Sequence, residues 1–341
     1  MKAAVRTAPP PACAVKGNHA TGLRVTLLRL ASALSLLVAC SSSPATPAVD
    51  AAVTDAPAAT DAPADVPAVS DAPYAPSPAI VARPFMHRAP SSYDPARPMP
   101  LVVLLHGYGA SGMVQAGYLN LLPATATEGF ILAYPDGTMD VSGRRFWNAT
   151  DGCCDFGGEN VDDVAYVDAV IDDMRAQYNI DPRRIFLVGH SNGGFMAHRY
   201  ACERAGRIAG IVSLAGAAWA DPARCAPSRP VSVLQVHGTA DDVIRFTGGR
   251  TPIASGGPYP AARDSVGQWR AHNRCGALRD TGETMDLERT LAGAETKVER
   301  AEGCMAGAAD LWVIEGGAHI PSFGPEWTRA LGRWMAAHPA P

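Results

Sequence analysis

Three side chains of this sequence could act together to cleave an acyl bond, and each of them follows an apolar segment. Ser191 is the centre of Gly189–Gly193, a G-x-S-x-G pattern. A serine hydroxyl is a weak nucleophile unless a base removes its proton, and the base needs an acid to orient it. Asp241 follows the apolar run "VSVLQVHG", and His319 follows "LWVIEGG". This combination of a serine, an acid and a histidine indicates nucleophilic acyl transfer.

The segment around Ser191 changes from a strand pattern to a helix pattern. The run "RIFLVG" at 184–189 is apolar and β-type, and "GGFMAHRYACERA" at 193–205 is typical of a helix. Glycines on both sides of the serine allow the backbone and the helix to approach closely. We therefore predict a strand, a sharp turn that exposes the hydroxyl of Ser191, and a helix whose N-terminus points at the reacting centre.

The same alternation of strands and helices continues through the chain from Pro98 onward. The run "LVVLLHG" at 101–107 has the continuous apolar character of a strand that is buried on both faces. The segment that follows Asn160 has one apolar helical stripe, made of Val164, Val167, Ile171, Met174 and Tyr178. The pattern predicts an α/β fold with a mostly parallel sheet.

The acidic residues of that helix have a simple structural explanation. Negative charges suit the first turn of a helix and its solvated face. We expect such positions, without a role in catalysis, for Asp162, Asp163, Asp172 and Asp173.

A loop after the first long strand can supply the remaining part of an acyl-transfer site. The segment "LLHGYGASG" resembles the loop that provides one oxyanion-hole donor in α/β-hydrolases. The expected donors are the backbone N–H groups of Tyr108 and Asn192. The chain order Ser191, Asp241, His319 is also that of α/β-hydrolase triads.

Each of these assignments has an alternative. Asp241 could be a helix cap, His319 a surface histidine, and the glycine-rich loop a plain turn. Spacing alone does not separate Asp241 from Asp242.

The N-terminal part of the chain has the features of an export signal and a linker. Two arginines and an apolar run precede Cys40, and "LVAC" resembles a bacterial lipobox. The prediction is a lipoprotein-type signal peptide at 1–39, with lipidation of Cys40, or else an ordinary secretory signal. Residues 40–82 are rich in Ala, Pro and Asp, which predicts a disordered linker. The catalytic domain is expected at 83–341.

Charge excludes one class of partner. The net charge is −4, and no run of Lys or Arg occurs, so nucleic acid is not an expected partner. Any contact with a membrane is expected only through a lipid on Cys40.

Six cysteines follow Cys40, and an even number in an exported protein predicts disulfides. We expect Cys275 to pair with Cys304. The adjacent Cys153 and Cys154 are poorly placed to bond each other, because bridged Cα atoms usually lie farther apart than sequence neighbours. Their expected partners are the two remaining cysteines, Cys202 and Cys225. A metal site is disfavoured because no C-x-x-C pattern occurs.

Several longer motifs together resemble the secreted feruloyl esterase and polyhydroxybutyrate depolymerase family, the first family of carbohydrate esterases. They are "PLVVLLHGYGASG", "YPDG", "FWN" followed by "CC", "VDDVAYVDAVIDDM", "GHSNGGFMAHRYAC", "RPVSVLQVHGTADD" and "LWVIEGGAH". The resemblance implies an α/β-hydrolase fold and ester hydrolysis without a cofactor. It assigns Ser191 as nucleophile, His319 as base and Asp241, rather than Asp242, as acid.

Departures from the family pattern bear on the substrate. The chain has "IPSFG" after His319, where many members have Thr-Trp-Pro, and Tyr108 where many depolymerases have cysteine. This favours a feruloyl or acetyl esterase that acts on plant polysaccharide side chains, with a polyester depolymerase as the alternative. An alternative of another class is an inactive, polysaccharide-binding surface lipoprotein. Trp147 and Trp219 are candidates for an aromatic acyl pocket, although core packing explains them as well.

Overall fold

The computed structural model describes residues 74–251 and 256–341. The predicted signal peptide, Cys40 and most of the predicted linker lie outside these residues. The helices are α1 (Pro78–Ala82), α2 (Gly112–Tyr118), α3 (Leu121–Glu128), α4 (Asp163–Gln177), α5 (Asn192–Glu203), α6 (Ala262–His272) and α7 (Pro325–Ala337). The strands are β1 (Met86–Arg88), β2 (Met99–Leu105), β3 (Ile131–Tyr134), β4 (Thr138–Met139), β5 (Arg145–Phe146), β6 (Ile180–His190), β7 (Gly210–Leu214), β8 (Ser232–Gly238), β9 (Gly249–Arg250), β10 (Pro258–Tyr259), β11 (Leu278–Met285), β12 (Thr296–Ala301) and β13 (Ala309–Ile314).

The main sheet has nine strands in the order β1-β3-β2-β6-β7-β8-β13-β12-β11. The strands from β3 to β13 in this order are parallel, and β1, β12 and β11 add antiparallel edges. The predicted fold class, a mostly parallel sheet flanked by helices, is confirmed. Parallel strands have their carboxyl ends at one edge, so the loops after β6, β8 and β13 meet there.

The central strands β3, β7, β8 and β13 are buried along their whole length because both faces of the sheet are covered there. In β2, Leu101, Val103 and Leu105 pack in one core with Val167 of α4, whereas Val102 and Leu104 pack in a second core on the other face. Helices α4, α5 and α6 contribute to the first core, and α2, α3 and α7 contribute to the second. None of the helices in the described part of the chain has the length and hydropathy that a membrane span needs.

Helix α4 buries four of the five residues of the predicted apolar stripe, and Tyr178, the fifth, follows the helix and is half-buried. It also buries two acids that were expected in solvent, Asp163 and Asp173. Asp163 is fully buried, and its carboxylate accepts hydrogen bonds from Arg83 Nη2 (2.7 Å) and from the Asn148 backbone N–H (2.7 Å). Burial raises the pKa of Asp163, although Arg83 opposes that shift. The expectation of a solvated charge is wrong here because the first turn of α4 packs against the segment before it.

The segment just before the predicted domain boundary at residue 83 is helical. Residues 78–82, which were expected in the linker, form α1, which starts with a proline and is capped by the Ser77 side chain. Ile80 is buried in the first core, and the Tyr166 hydroxyl of α4 donates to the Arg83 carbonyl (3.0 Å). The end of an Ala/Pro-rich segment therefore has enough apolar contact to offset its ordering entropy.

The disulfides agree with the prediction at one pair and differ from it elsewhere. Cys275 bonds Cys304, the expected pair, but Cys202 bonds Cys225, and Cys153 bonds its neighbour Cys154. The expectation that the adjacent cysteines pair elsewhere assumed a trans peptide. Their peptide bond is cis, and their Cα atoms are 3.1 Å apart.

The Cys202–Cys225 bridge ties the end of α5 to the loop before β8. Replacing both cysteines with alanine should lower the free energy of unfolding by about 2–4 kcal/mol, because the unfolded chain regains the freedom of the closed loop. Urea unfolding measures this, and peptide mapping without reductant should recover the Cys202–Cys225 peptide. Equal stability of the variant and the parent protein would contradict the assignment.

Candidate active site

Ser191 occupies the sharp turn between β6 and α5. Its backbone has φ 53° and ψ −119°, a left-handed conformation that is rare for residues other than glycine. The Ser191 N–H donates to the Leu214 carbonyl of β7 (2.8 Å), which holds the turn against the sheet. This is the strand–turn–helix arrangement that the sequence predicts, and a strained turn of this kind projects a nucleophile above the sheet edge.

Glycine is required on both sides of this turn. A Cβ atom at Gly189 would collide with the carbonyl of Gly193, and one at Gly193 would collide with the carbonyl of Leu105. Helix α5 therefore begins in direct backbone contact with β2 and β6, which no residue with a side chain allows.

The structure brings His319 and Asp241 to this serine. His319 Nε2 lies 3.0 Å from Ser191 Oγ, and His319 Nδ1 lies 2.8 Å from Asp241 Oδ2. A carboxylate only accepts hydrogen bonds, so Nδ1 carries the proton and Nε2 is free to accept from the serine hydroxyl. This is the geometry of a general base that is oriented by an acid.

Asp241 is held as a buried carboxylate. Its side chain has no exposed surface, and Oδ1 accepts hydrogen bonds from the N–H groups of Val243 (2.9 Å) and Ile244 (2.8 Å). Burial acts to raise the pKa of Asp241, but His237 and His319 outweigh it and hold the pKa well below its usual range. Asp242, the alternative acid, is exposed.

The loop after β2 lies beside the serine, as predicted. A Cβ atom at Gly107 would be 3.5 Å from that of Ser191. Among the hydrogen bonds of the described residues, none has the Tyr108 N–H as its donor. The N–H of Asn192 is the first of α5 and has no acceptor within the helix. Two backbone donors without an acceptor thus lie in the loop beside Ser191 and at the residue that follows it.

Buried amide side chains fix the backbones that carry these donors. Gln115 Oε1 accepts from the Gly107 N–H (3.1 Å), which holds the loop after β2. Asn192 Oδ1 accepts from the Trp147 N–H (2.7 Å), and Asn192 Nδ2 donates to the Trp147 carbonyl (2.9 Å). No sequence motif includes Gln115, which lies on α2.

His190, the residue before Ser191, contacts the backbone of His319. Its Nε2 lies 3.0 Å from the His319 carbonyl, which can only accept, so Nε2 carries a proton. Burial lowers the pKa of His190 to about 4, and the charge of His319 acts in the same direction. A neutral His190 therefore donates a hydrogen bond to the backbone of His319.

The loop after His319 is tied down by a residue that sequence reasoning missed. Glu288 is buried, and its Oε2 accepts from the Ser322 N–H (2.6 Å). The Tyr118 hydroxyl donates to the Pro321 carbonyl (2.9 Å). Glu288 follows β11 in a segment without a recognisable motif, so only the tertiary structure shows this contact.

A pocket of about 330 Å³ opens beside the serine. Its base contains Tyr108, Tyr118, Ser191 and His319. Its rim is apolar, because Val114 and Ile320 line it and are each 64% exposed.

The structure does not bring Trp147 or Trp219 to this pocket. Trp147 has no exposed surface, and its Nε1 donates to the His106 carbonyl (3.1 Å). Trp219 is buried and lines a different, larger cavity of about 520 Å³, which Ser191 does not line. Both tryptophans belong to the packing explanation that the sequence analysis gave as the alternative. No cluster of metal ligands occurs among residues 74–251 and 256–341.

Comparison with solved structures identifies the fold. An acetyl xylan esterase from Aspergillus awamori superimposes with a TM-score of 0.50 at 14% identity, over 74% of this chain and 93% of that one. The chain has an α/β-hydrolase fold. A phospholipase/carboxylesterase family model matches residues 92–251 of this chain, the part from the loop before β2 to ten residues beyond Asp241.

Curated proteins show similarity over a longer segment. Feruloyl esterase B of Piromyces equi is 28% identical over 241 residues, 69% of this chain and 42% of that protein. Feruloyl esterase D of Neurospora crassa is 26% identical over 253 residues, 71% of this chain and 75% of that protein. This chain thus spans less than half the length of the first of these relatives. The predicted resemblance to feruloyl esterases is confirmed.

The adjacent carboxylates Asp241 and Asp242 form a matched pair for mutation. Asp241→Asn should lower kcat for p-nitrophenyl acetate by about 10⁴-fold, because an amide no longer selects the Nδ1–H tautomer of His319. Asp242→Asn should stay within about 2-fold of the parent protein, since an exposed charge contributes little. Comparable losses in both variants, or a loss only at Asp242, would show that the acid is misassigned.

Proposed function

We propose that this α/β-hydrolase is a serine carboxylic-ester hydrolase that works through an acyl-enzyme. The observation that carries the proposal is the continuous contact from Ser191 Oγ to His319 (3.0 Å) and from His319 to Asp241 (2.8 Å). The similarity to esterases on the same fold supports it. Ser191 is the nucleophile, His319 the general base and Asp241 the acid that orients it.

The proposed reaction has two steps. His319 Nε2 takes the proton of Ser191 Oγ as the oxygen attacks the ester carbonyl, and Asp241 stabilises the imidazolium that forms. The N–H groups of Tyr108 and Asn192 stabilise the oxyanion. His319 then gives its proton to the departing alcohol. A water molecule, activated by the same nitrogen, hydrolyses the acyl-enzyme and restores Ser191.

The proposed substrates are feruloyl or acetyl esters on plant polysaccharide side chains. The named relatives that are feruloyl esterases favour this class. The pocket of about 330 Å³ is within the usual range for small ligands, and its exposed Val114 and Ile320 offer an apolar surface to an aromatic acyl group.

We propose that the protein is exported and that the segment from Cys40 up to α1 tethers the domain. A lipid on Cys40 would keep the esterase at a membrane surface, where it could meet an insoluble polysaccharide. Release of the protein from cells by Cys40→Ser, with unchanged activity, is the outcome that this proposal expects.

Replacement of Ser191 tests the proposed nucleophile and the substrate class. Ser191→Ala should lose at least about 10⁴-fold of kcat on methyl ferulate and on acetylated xylan while it stays folded, because no other group can form the acyl-enzyme. Ser228→Ala, an exposed serine elsewhere, is the matched control and should match the parent protein. Initial rates of ferulate and acetate release measure both variants.

The same assay should also include a 3-hydroxybutyrate oligomer as a substrate, and three outcomes would change the account. Serine-dependent preference for the oligomer would favour the depolymerase alternative, with the same catalytic residues. Unchanged turnover in Ser191→Ala would disprove the mechanism. A parent protein that is inactive on all of these esters but binds xylan would favour the inactive binding protein.

Replacement of Val114 tests the apolar rim of the pocket. Val114→Ser should lower kcat/KM for methyl ferulate by roughly 3- to 10-fold, because the acyl ring loses apolar contact. The rate with methyl acetate should change by less than about 2-fold, since an acetyl group does not reach the rim. Val81→Ser, another exposed valine, serves as the control. An equal loss on both esters would show that Val114 does not contact the acyl group.

A further inference from the structure

Four fully buried polar side chains form a line through the first core toward Asp241. They are Trp269 on α6, His198 on α5, and Gln235 and His237 on β8, each at most 1% exposed. Trp269 Nε1 is 2.9 Å from His198 Nδ1, and His198 Nε2 is 3.1 Å from Gln235 Oε1. Gln235 Nε2 is 3.2 Å from His237 Nδ1. We call these four residues the polar relay.

The direction of every hydrogen bond in the polar relay follows from its ends. An indole N–H can only donate, so His198 Nδ1 accepts and His198 Nε2 donates to Gln235 Oε1. Gln235 Nε2 also donates to the Gly216 carbonyl (2.9 Å), which fixes the orientation of its amide. His237 Nδ1 must then accept from Gln235, so the ring proton of His237 lies on Nε2.

That proton faces the loop that carries the acid. His237 Nε2 lies 2.7 Å from the Ile244 carbonyl and 3.4 Å from Asp241 Oδ2. The shorter distance is the hydrogen bond, and the longer one is an electrostatic contact. The Ile244 N–H in turn donates to Asp241 Oδ1 (2.8 Å). The peptide groups of Ile244 thus connect His237 to Asp241 directly.

We propose that His237 is a positioning residue for the acid, and that Gln235, His198 and Trp269 keep it in the Nε2–H form. The proposal rests on the proposed function, because it assigns a further role in the same reaction. His237 holds the loop at 241–244 so that Asp241 Oδ2 points at His319 Nδ1. The positive end of its Nε2–H bond also lies 3.4 Å from Asp241 Oδ2, and this electrostatic contact favours the charged form that orients the base.

Core packing alone does not explain the polar relay. Replacing buried polar groups with apolar ones of similar shape is often neutral or stabilising, whereas an incompletely paired network is costly. The relay is complete and ends at the acid loop. The opposite tautomer of His237 would set an N–H against the Gln235 amide and a bare nitrogen against the Ile244 carbonyl and Asp241. Burial also lowers the pKa of His198 to about 4, which keeps that ring neutral.

Ring-nitrogen NMR of the parent protein tests the relay without reference to activity. With ¹⁵N-labelled histidine at pH 7.5, both His198 and His237 should show a protonated Nε2 and a bare Nδ1. His237→Gln and His198→Gln would identify the two sets of signals by their loss. A proton on Nδ1 of His237, or a doubly protonated ring, would overturn the proposal whether or not the protein is an esterase.

Kinetics of folded variants test the positioning role. His237→Phe should lower kcat by about 10²-fold, because a misplaced acid misorients the base. KM should stay within about 2-fold, since His237 does not line the pocket. His237→Gln, whose amide N–H can still reach the Ile244 carbonyl, should recover most of kcat. A merely structural role would lower thermal stability in both variants and leave kcat of the folded protein unchanged.

The matched control is Ser213 on β7, which lies opposite Gln235 in the sheet. It is equally buried, and its hydroxyl has no hydrogen-bond partner among the described residues. Ser213→Ala should leave kcat within about 2-fold. A parent-like kcat in folded His237→Phe, or an equal loss in His237→Gln and His237→Phe, would overturn the proposal. If Ser191→Ala were fully active, the esterase mechanism would fail, and the tautomer measurement would still stand.

Discussion

The contact of one imidazole with two distant side chains organises this molecule. His319 reaches Ser191 after β6 on one side and Asp241 after β8 on the other. The three residues meet because parallel strands end at the same edge of the sheet, and β6, β7, β8 and β13 are neighbours in it. An antiparallel arrangement of the same strands would place alternate loops at opposite edges. A parallel sheet needs strands that can be buried on both faces, so the burial of the central strands is a precondition for the site.

The loops that carry these residues are held by buried polar contacts rather than by apolar packing alone. Gln115 holds the loop after β2, the Asn192 side chain holds the start of α5, and Glu288 holds the segment after His319. Each contact satisfies a backbone group that would otherwise be unpaired at the sheet edge. The charge of Asp241 is paired with backbone N–H groups and with histidine in the same way. Such preorganised dipoles are the usual source of electrostatic stabilisation in hydrolases.

Sequence patterns predicted the parts of the site that depend on local chemistry. Ser191 lies between glycines, and Asp241 and His319 each follow an apolar strand, so one fold class accounts for all three.

The residues whose surroundings were predicted wrongly depend on tertiary contacts that no local pattern contains. Asp163 occupies a helix turn that usually faces solvent, and only its pairing with Arg83 explains its burial. The sequence around Trp147 does not show whether its ring lines a pocket or the core. Hydrogen bonds between its backbone and the Asn192 side chain hold this residue in the core. The bond between Cys153 and Cys154 occurs together with a cis peptide, which is rare outside proline and which composition does not indicate.

Covalent labelling tests the central assignment most directly. The domain from residue 74 onward would be treated with a fluorophosphonate, and the modified residue would be located by peptide mass spectrometry. The account predicts one adduct per chain, on Ser191, which forms far more slowly in His319→Ala because the base that activates the hydroxyl is missing. An adduct on another residue, or hydrolytic activity that survives complete labelling of Ser191, would contradict it.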